Sequence, residues 1–195
     1  MKNTKVKYIV KIALLSALSV VIMLLEFPLA FVAPSFYELD LSESVILMGG
    51  FALGPLAAAI MEFVKNALNI LINGTSTGFV GEFANFVTGC CLTVPASLIY
   101  KYRKSIRGAL VGMAVGIVSL AVAGGLINYF IMLPMYSAFM PMEDIINAGA
   151  AITGFIHDKL TFVLFAVVPF NLIKGVLCSA VCLVLYKRLS KILHA

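Results

Sequence analysis

The chain has 195 residues, of which 62% are hydrophobic and only 12% are charged, and its mean hydropathy is +1.08. A soluble domain is nearer half apolar and a quarter charged, so this composition excludes an ordinary soluble enzyme or binding domain and indicates an integral membrane protein. The formal net charge of +5 does not indicate nucleic-acid binding, because most basic residues lie at the ends of apolar segments.

The apolar segments predict an all-α fold with six transmembrane helices in a single membrane domain, residues 1–195. The first segment follows a basic N-terminus, is too long for the apolar part of a signal peptide and stops before Pro28. The second is short and ends at the turn signal Gly54-Pro55. The connection 135–159 has room for a short interfacial helix. The predicted helices are about 8–27, 44–53, 56–72, 79–100, 109–132 and 160–186.

The distribution of basic residues predicts the topology. Eleven of the fourteen Lys and Arg residues lie in three places, the N-terminus, residues 101–107 and the C-terminus, which the positive-inside rule assigns to the cytoplasm. An even number of crossings must then separate each pair, and this requires the chain to reverse at Gly54-Pro55. Both termini are therefore predicted to be cytoplasmic, with the acidic segments 34–43 and 143–158 outside.

A polar group near the middle of the last apolar segment is the first candidate site. Lys174 lies where a charge is costly and usually faces a bundle interior or a water-filled cavity. Asn171, three residues earlier, shares its helix face, and Pro169 removes a helix hydrogen bond one turn earlier. This favours a ligand or ion site. The alternatives are a lysine that reaches the membrane surface, or one that pairs with an internal acid such as Glu62 or Glu82.

Other polar residues extend this hypothesis. Glu62 and Lys65 are three residues apart on the third helix, which favours a structural ion pair. By depth, Asn128 in the outer half of the fifth helix converges with Asn171 and Lys174 beneath the outer loops. Asn85 and the 34–43 loop close the same space. Amides and one cation in an apolar pocket indicate a site for a largely uncharged small molecule.

The sequence offers no catalytic or metal-binding pattern. His157 lies in a connection and His194 at the C-terminus, and there is no HExxH, CxxC or phosphate-binding glycine loop. The four cysteines lie within apolar segments, where packing is the favoured interpretation. We therefore expect no enzyme activity and no metal, and any uphill transport must draw energy from another protein.

An ordered set of short motifs resembles a known family, the riboflavin-binding S components of energy-coupling factor (ECF) transporters, over nearly the whole chain. The motifs are Phe27-Pro28, Ala33-Pro34, Leu39-Asp40-Leu41-Ser42, Gly50-Phe51, Gly54-Pro55, Lys65-Asn66-Ala67-Leu68-Asn69, Gly81-Glu82-Phe83-Ala84-Asn85-Phe86, Asn128-Tyr129-Phe130, Leu133-Pro134 and Pro169-Phe170-Asn171-Leu172-Ile173-Lys174-Gly175.

The resemblance implies a multi-pass protein of the bacterial cell membrane that captures riboflavin from outside the cell. It implies an EcfT-like transmembrane coupling protein and two ABC-type ATPases as partners, with toppling of the S component in the membrane during release. It implies no cofactor, since riboflavin is the transported ligand, and it leaves FMN open as a further ligand.

The resemblance also implies site residues. The flavin pocket of the family corresponds to Asn128, Asn171 and Lys174, and the segment that covers the ligand corresponds to Leu39 and Asp40. The alanine motif that docks the coupling protein corresponds to Ala13 and Ala17 on the first helix. Asn85 and Phe79 are added to the predicted site from their depth and chemical character.

Two alternatives remain open at this point. One is an S component for another small vitamin or precursor, which would differ in its pocket side chains. The other is a membrane protein of another class, either an enzyme or a non-transport partner protein. An enzyme needs a nucleophile–base pair or metal ligands, which the sequence does not suggest. A purely structural protein has little reason to keep Asn171 and Lys174 in the middle of the membrane.

Overall fold

A computed structural model of the chain describes the backbone of residues 2–75 and 77–193 and the side chains of residues 5–75 and 77–185. This part of the chain is mostly helical. The helices are α1 (Lys2–Met23), α2 (Glu43–Leu53), α3 (Pro55–Asn73), α4 (Val80–Tyr102), α5 (Ile106–Tyr136), α6 (Met142–Ala150) and α7 (Lys159–Leu193). Two short strands, β1 (Phe27–Pro28) and β2 (Glu38–Leu39), pair between α1 and α2.

Five of these helices have the length and hydropathy of membrane spans, namely α1, α3, α4, α5 and α7. The sixth predicted helix, α2, is apolar but has only 11 residues. Its residues 43–51 are all buried, and it contacts α1, α3, α4 and α7. A helix enclosed on every side is expected to be apolar on every side, and α2 fits that rule except at its first turn. That first turn supplies part of the site described below.

The reversal predicted at Gly54-Pro55 is confirmed. Gly54 ends α2 with φ of 99°, a backbone conformation that favours glycine, and Pro55 opens α3 at the position where its missing N–H costs nothing. The two helices then pack against each other. The connection before α7 contains α6, as the sequence allowed.

Several predicted helix limits were wrong. The first helix begins at Lys2 instead of residue 8, and the last continues to Leu193 instead of residue 186. Two other ends have a local explanation. The first helix ends at Met23 instead of Phe27, because Phe27 pairs with Leu39 in the antiparallel β ribbon and Pro28 holds the preceding residue extended. The fifth continues past Met132 to Tyr136, because Pro134 lies in the first turn of the final helical piece, where proline is tolerated.

Each of the two helices that carry the candidate polar residues contains a π-helical turn, at Asn128–Met132 in α5 and at Val163–Val167 in α7. A proline follows each turn by two residues, Pro134 and Pro169, and removes a donor from the regular hydrogen-bond ladder. The two π turns contact each other. Wider turns of this kind often accompany functional sites in helical proteins.

Candidate functional site

The centre of the candidate site is Lys174 on α7, which is buried with 9% of its surface exposed. Its Nζ lies 2.9 Å from Asp40 Oδ2 and 3.4 Å from Glu43 Oε1. Asp40 follows β2 and also accepts a hydrogen bond of 2.9 Å from the backbone N–H of Ser42. Burial alone would raise the pKa of Asp40, but the ammonium of Lys174 and the nearby Lys65 hold that pKa well below its usual value. Asp40 is therefore a carboxylate that neutralises the lysine.

The acids suggested from sequence as partners of Lys174 were wrong. Glu62 pairs with Lys65, and Glu82 accepts hydrogen bonds of 3.1 Å from Thr75 and Thr77 near the start of α4. The observed partners lie just before and at the first residue of α2, which is inserted into the centre of the bundle beside α7.

Two asparagines, one on α5 and one on α7, contact the same residue of α5, Gly124. Asn128 donates from Nδ2 to the carbonyl of Gly124 at 2.8 Å, and Asn171 donates in the same way to Val167 at 2.9 Å. The side chain of Asn171 lies against Gly124, so closely that a methyl group there would sit 2.7 Å from Asn171 Nδ2. The structure therefore brings Asn128, Asn171 and Lys174 into one buried region.

A tyrosine from the loop between β1 and β2 enters this region, and sequence reasoning missed it. The hydroxyl of Tyr37 donates to Asn128 Oδ1 at 2.6 Å, and its ring centroid lies 5.7 Å from that of Phe170 and 6.3 Å from that of Phe162. Desolvation, with Tyr136 second, raises the pKa of Tyr37 well above its usual value, so the phenol stays a donor. The sequence signal that could have identified Tyr37 was an aromatic residue with a hydroxyl group within an acidic loop.

The covering segment also supplies Leu39, which is fully buried. It belongs to a core cluster that contains Phe162 and Phe170 of α7 and Leu133 of α5. The segment from Tyr37 to Asp40 is therefore attached at three points. Leu39 packs in the core, Tyr37 bonds to Asn128 and Asp40 bonds to Lys174.

Two further residues of the predicted site, Phe79 and Asn85, share no described hydrogen bond with this region. Phe79 is 59% exposed and precedes α4, where its backbone N–H donates to Thr75 Oγ1 at 2.9 Å. Asn85 is half-buried on α4. Among the described hydrogen bonds, none joins Phe79 or Asn85 to Asn128, Asn171 or Lys174, so their role in binding stays a prediction.

A second buried lysine lies beside the first. Lys65 on α3 is 0% exposed, and its Nζ lies 3.0 Å from Glu43 Oε1, 2.9 Å from Glu62 Oε2 and 3.2 Å from Ser42 Oγ. The predicted Glu62–Lys65 ion pair is thus confirmed. Sequence reasoning assigned Glu43 to the outer loop and missed that it contacts both buried lysines.

The other surfaces of interest are apolar. Ala13 and Ala17 are exposed on α1, whose opposite side packs on α2 and α3. A groove of about 350 Å³ between α5 and α7, lined by residues such as Gly125, Tyr129 and Leu164, contains none of the polar residues described above. It is therefore not the candidate site.

Comparison with known proteins identifies the family. Residues 7–186 match the family model described as ECF transporter, substrate-specific component. The chain belongs to this family. A solved structure of the S component of a bacterial ECF transporter superposes with a TM-score of 0.77 at 31% identity and covers 100% of both chains.

Two relatives have names that state a substrate. The riboflavin transporter RibU of Staphylococcus aureus (strain TCH60) is 33% identical over 96% of this chain and 92% of its own length. The riboflavin transporter FmnP of Bacillus subtilis (strain 168) is 29% identical over 95% of this chain and 93% of its own length.

Proposed function

We propose that this chain is the S component that captures riboflavin from outside the cell for ATP-driven uptake, and that Asn128, Asn171 and Lys174 form the core of its binding site. The observation that carries this proposal is the burial of two amides and one ammonium on the adjoining helices α5 and α7, with Asn128 bonded to Tyr37 and Lys174 to Asp40 of one covering segment. The relatives named as riboflavin transporters support the choice of ligand.

The chemistry of the site suits a flavin ring. An isoalloxazine offers carbonyl and ring-nitrogen acceptors and one imide donor, while asparagine supplies both a donor and an acceptor and lysine supplies donors only. The charge of Lys174 is already compensated by Asp40 and Glu43, which fits a ligand whose ring is uncharged. Phe162 and Phe170 provide the apolar wall.

The segment that runs from the β1–β2 loop through β2 to Asp40 is the proposed cover of the site. Tyr37 and Asp40 occupy Asn128 and Lys174 with hydrogen bonds, so riboflavin entering beneath the loop would compete with the phenol and the carboxylate for the same groups. Leu39 would close over the ligand together with Asp40. Asn85 and Phe79 remain proposed contacts on the α4 side.

The proposed topology has six crossings in the bacterial plasma membrane, with α2 as a short second crossing and both termini in the cytoplasm. The basic segment 101–107 and the N-terminal lysines support it. The C-terminal residues Lys187, Arg188 and Lys191, which carry the same argument, have side chains outside the described part. One membrane domain then spans residues 1–195.

The proposed partners are an EcfT-like coupling protein, which would dock on Ala13 and Ala17 of α1, and two ABC-type ATPases that hydrolyse ATP. The exposure of both alanines supports the docking face, since small residues spaced by four let a partner helix approach closely. Family membership supports the need for an energising module.

The ligand assignment is tested by the absorbance spectrum of the protein purified in detergent from cells that make riboflavin. We expect a flavin band at near-stoichiometric amount, with fluorescence that stays quenched until the protein is denatured. A colourless protein that also fails to bind added riboflavin would contradict the assignment. Thermal stabilisation across a panel of vitamins would then identify another ligand, because a ligand stabilises the state that binds it.

The docking face is tested by replacing Ala13 and Ala17 together with Trp. We expect uptake of riboflavin by cells to fall at least about tenfold while binding by the purified protein is unchanged, because bulky rings prevent close helix packing. Leu18→Trp, at an exposed position about 100° around the same helix from Ala17, is the control and should leave uptake intact. Normal uptake by the double variant would remove α1 as the docking face.

A further inference from the structure

A continuous chain of buried charges runs from the loop to α3, and Glu43 is its centre. Asp40 contacts Lys174, Lys174 contacts Glu43, Glu43 contacts Lys65 and Lys65 contacts Glu62, with nitrogen–oxygen distances between 2.9 and 3.4 Å. Among the acids of the described residues, Glu43 alone has its carboxylate within 4 Å of both buried lysines.

The two carboxylates on Lys174 come from different kinds of structure. Asp40 belongs to the segment after β2, in the loop that carries Tyr37 onto Asn128. Glu43 is the first residue of α2, a helix whose residues 43–51 are all buried, and it is 1% exposed. An opening of the loop that reaches Asp40 would separate this residue from Lys174 and would also break its hydrogen bonds with the Ser42 N–H and the Cys178 thiol. Glu43 would stay with the packed helix.

A buried ammonium without a counter-ion is strongly unfavourable. If Asp40 were the sole partner of Lys174, opening the loop would strip the lysine of its compensating charge. Glu43 prevents this, because it remains beside Lys174. Glu43 remains available to Lys174 although it also contacts Lys65, because Lys65 has Glu62 and Ser42 as further partners.

We propose that Glu43 is a positioning residue for ligand capture: it is the fixed counter-ion that keeps Lys174 in place while the Asp40-bearing loop opens to admit the ligand. This inference rests on the proposed function, in which Lys174 binds riboflavin. It assigns different roles to two equally buried acids, since Glu43 acts on the binding site and Glu62 acts only on Lys65.

The experiment compares Glu43→Gln with Glu62→Gln, a matched pair because each removes one buried carboxylate from Lys65. Association of riboflavin with the purified, flavin-free protein in detergent is followed by stopped-flow quenching of flavin fluorescence. We expect the association rate constant to fall at least about tenfold in Glu43→Gln, because loop opening now isolates Lys174. In Glu62→Gln it should stay within about twofold of the wild type.

Equal association rates in the two variants, or an unchanged rate in Glu43→Gln, would overturn the inference. A merely structural role would instead move the unfolding temperature of both variants and leave their association rates alike. If Glu43→Gln does not fold, Glu43→Asp and Glu62→Asp form a second pair, in which the shortened Glu43 keeps its charge but withdraws from Lys174. Slower association in Glu43→Asp alone is then expected, and equal rates overturn the inference.

A third variant separates this inference from the proposed function. Lys174→Met should weaken riboflavin binding if Lys174 is a ligand contact. If Lys174→Met binds riboflavin as the wild type does, the proposed site is wrong. If it binds weakly but Glu43→Gln and Glu62→Gln behave alike, the site stands and the role of Glu43 is wrong.

Discussion

Two lysines are buried side by side in this bundle, and their surroundings differ in one respect. Lys65 is held by Glu43 and Glu62 on helices and by Ser42 directly before α2. Lys174 shares Glu43, but its shortest contact is with Asp40 in the loop segment, and the buried Asn171 precedes it by about one turn of α7. An ammonium whose carboxylate partners both belong to packed helices holds the fold together. An ammonium with one partner on a loop has a contact that a ligand can replace.

The largest expected difference between the two lysines is in stability. Lys65→Met leaves Glu43 and Glu62 facing each other without their shared cation, and we expect a loss of about 3–5 kcal/mol in the free energy of unfolding. Lys174→Met should cost less, about 1–3 kcal/mol, because Asp40 keeps the hydrogen bond from Ser42. Denaturation of the ligand-free protein in detergent measures both. A greater loss for Lys174→Met would reverse the assignment of roles.

Two glycines sharpen the same comparison, because each packs against one of the two regions. A methyl group on Gly89 would lie 2.6 Å from the carboxyl of Glu62, and one on Gly124 would lie 2.7 Å from Asn171 Nδ2. Overpacking of this kind typically costs about 1–3 kcal/mol. We expect Gly89→Ala to lower the unfolding temperature with little change in riboflavin affinity, and Gly124→Ala to lower affinity about tenfold.

The control for Gly124→Ala is its neighbour. A methyl group on Gly125 would meet Val168 at 3.4 Å, an ordinary contact. Gly125→Ala should therefore bind riboflavin as the wild type does. Equal loss of affinity in both alanine variants would show a general effect of α5 and not displacement of Asn171.

The phenol of Tyr37 offers a smaller effect of opposite sign. Tyr37→Phe keeps the ring among Phe162 and Phe170 but frees Asn128 Oδ1 from the 2.6 Å hydrogen bond. A hydrogen bond contributes about 0.5–1.5 kcal/mol net, so riboflavin affinity in a fluorescence titration should rise about 2- to 12-fold. Weaker binding would instead mean that Tyr37 contacts the ligand itself.

The smallest expected effect is a pH dependence at Glu26, the residue before β1. Desolvation, with the neighbouring Glu38 second, raises the pKa of Glu26 from its ordinary value of 4.5 to about 7. Between these values the folded protein holds a proton that the unfolded chain has released, so this contribution to stability falls as pH rises through the window.

Glu26→Gln has no carboxyl group to titrate at this position, so it is the reference against which the wild type is compared. As the pH rises from about 5 to about 8, the unfolding temperature of the wild type should fall relative to that of Glu26→Gln. A constant difference between the two proteins over this range would show that Glu26 does not titrate there.

Sequence reasoning found those parts of the structure that local patterns encode. Hydropathy places the apolar helices, the Gly54-Pro55 signal separates α2 from α3, and spacing by three puts Glu62 beside Lys65. The position of Lys174 within an apolar segment was enough to single it out as a candidate site residue.

Long-range pairings were beyond local patterns. Asp40 and Lys174 are separated by 134 positions, and several acids were equally available to that lysine by depth. The bridging position of Glu43 depends on where the buried first turn of α2 meets α7. The early end of α1 at Met23 likewise depends on β pairing with Leu39, a residue outside the helix.

The most direct test of Lys174 as the ligand-binding lysine is a riboflavin titration of Lys174→Met, with folding checked by its far-UV spectrum and elution volume. Hydrogen bonds from charged donors contribute about 1.5–3 kcal/mol, so we expect Kd to rise about 10- to 100-fold. An unchanged Kd in the folded variant would show that riboflavin binds elsewhere and that Lys174, like Lys65, serves the fold alone.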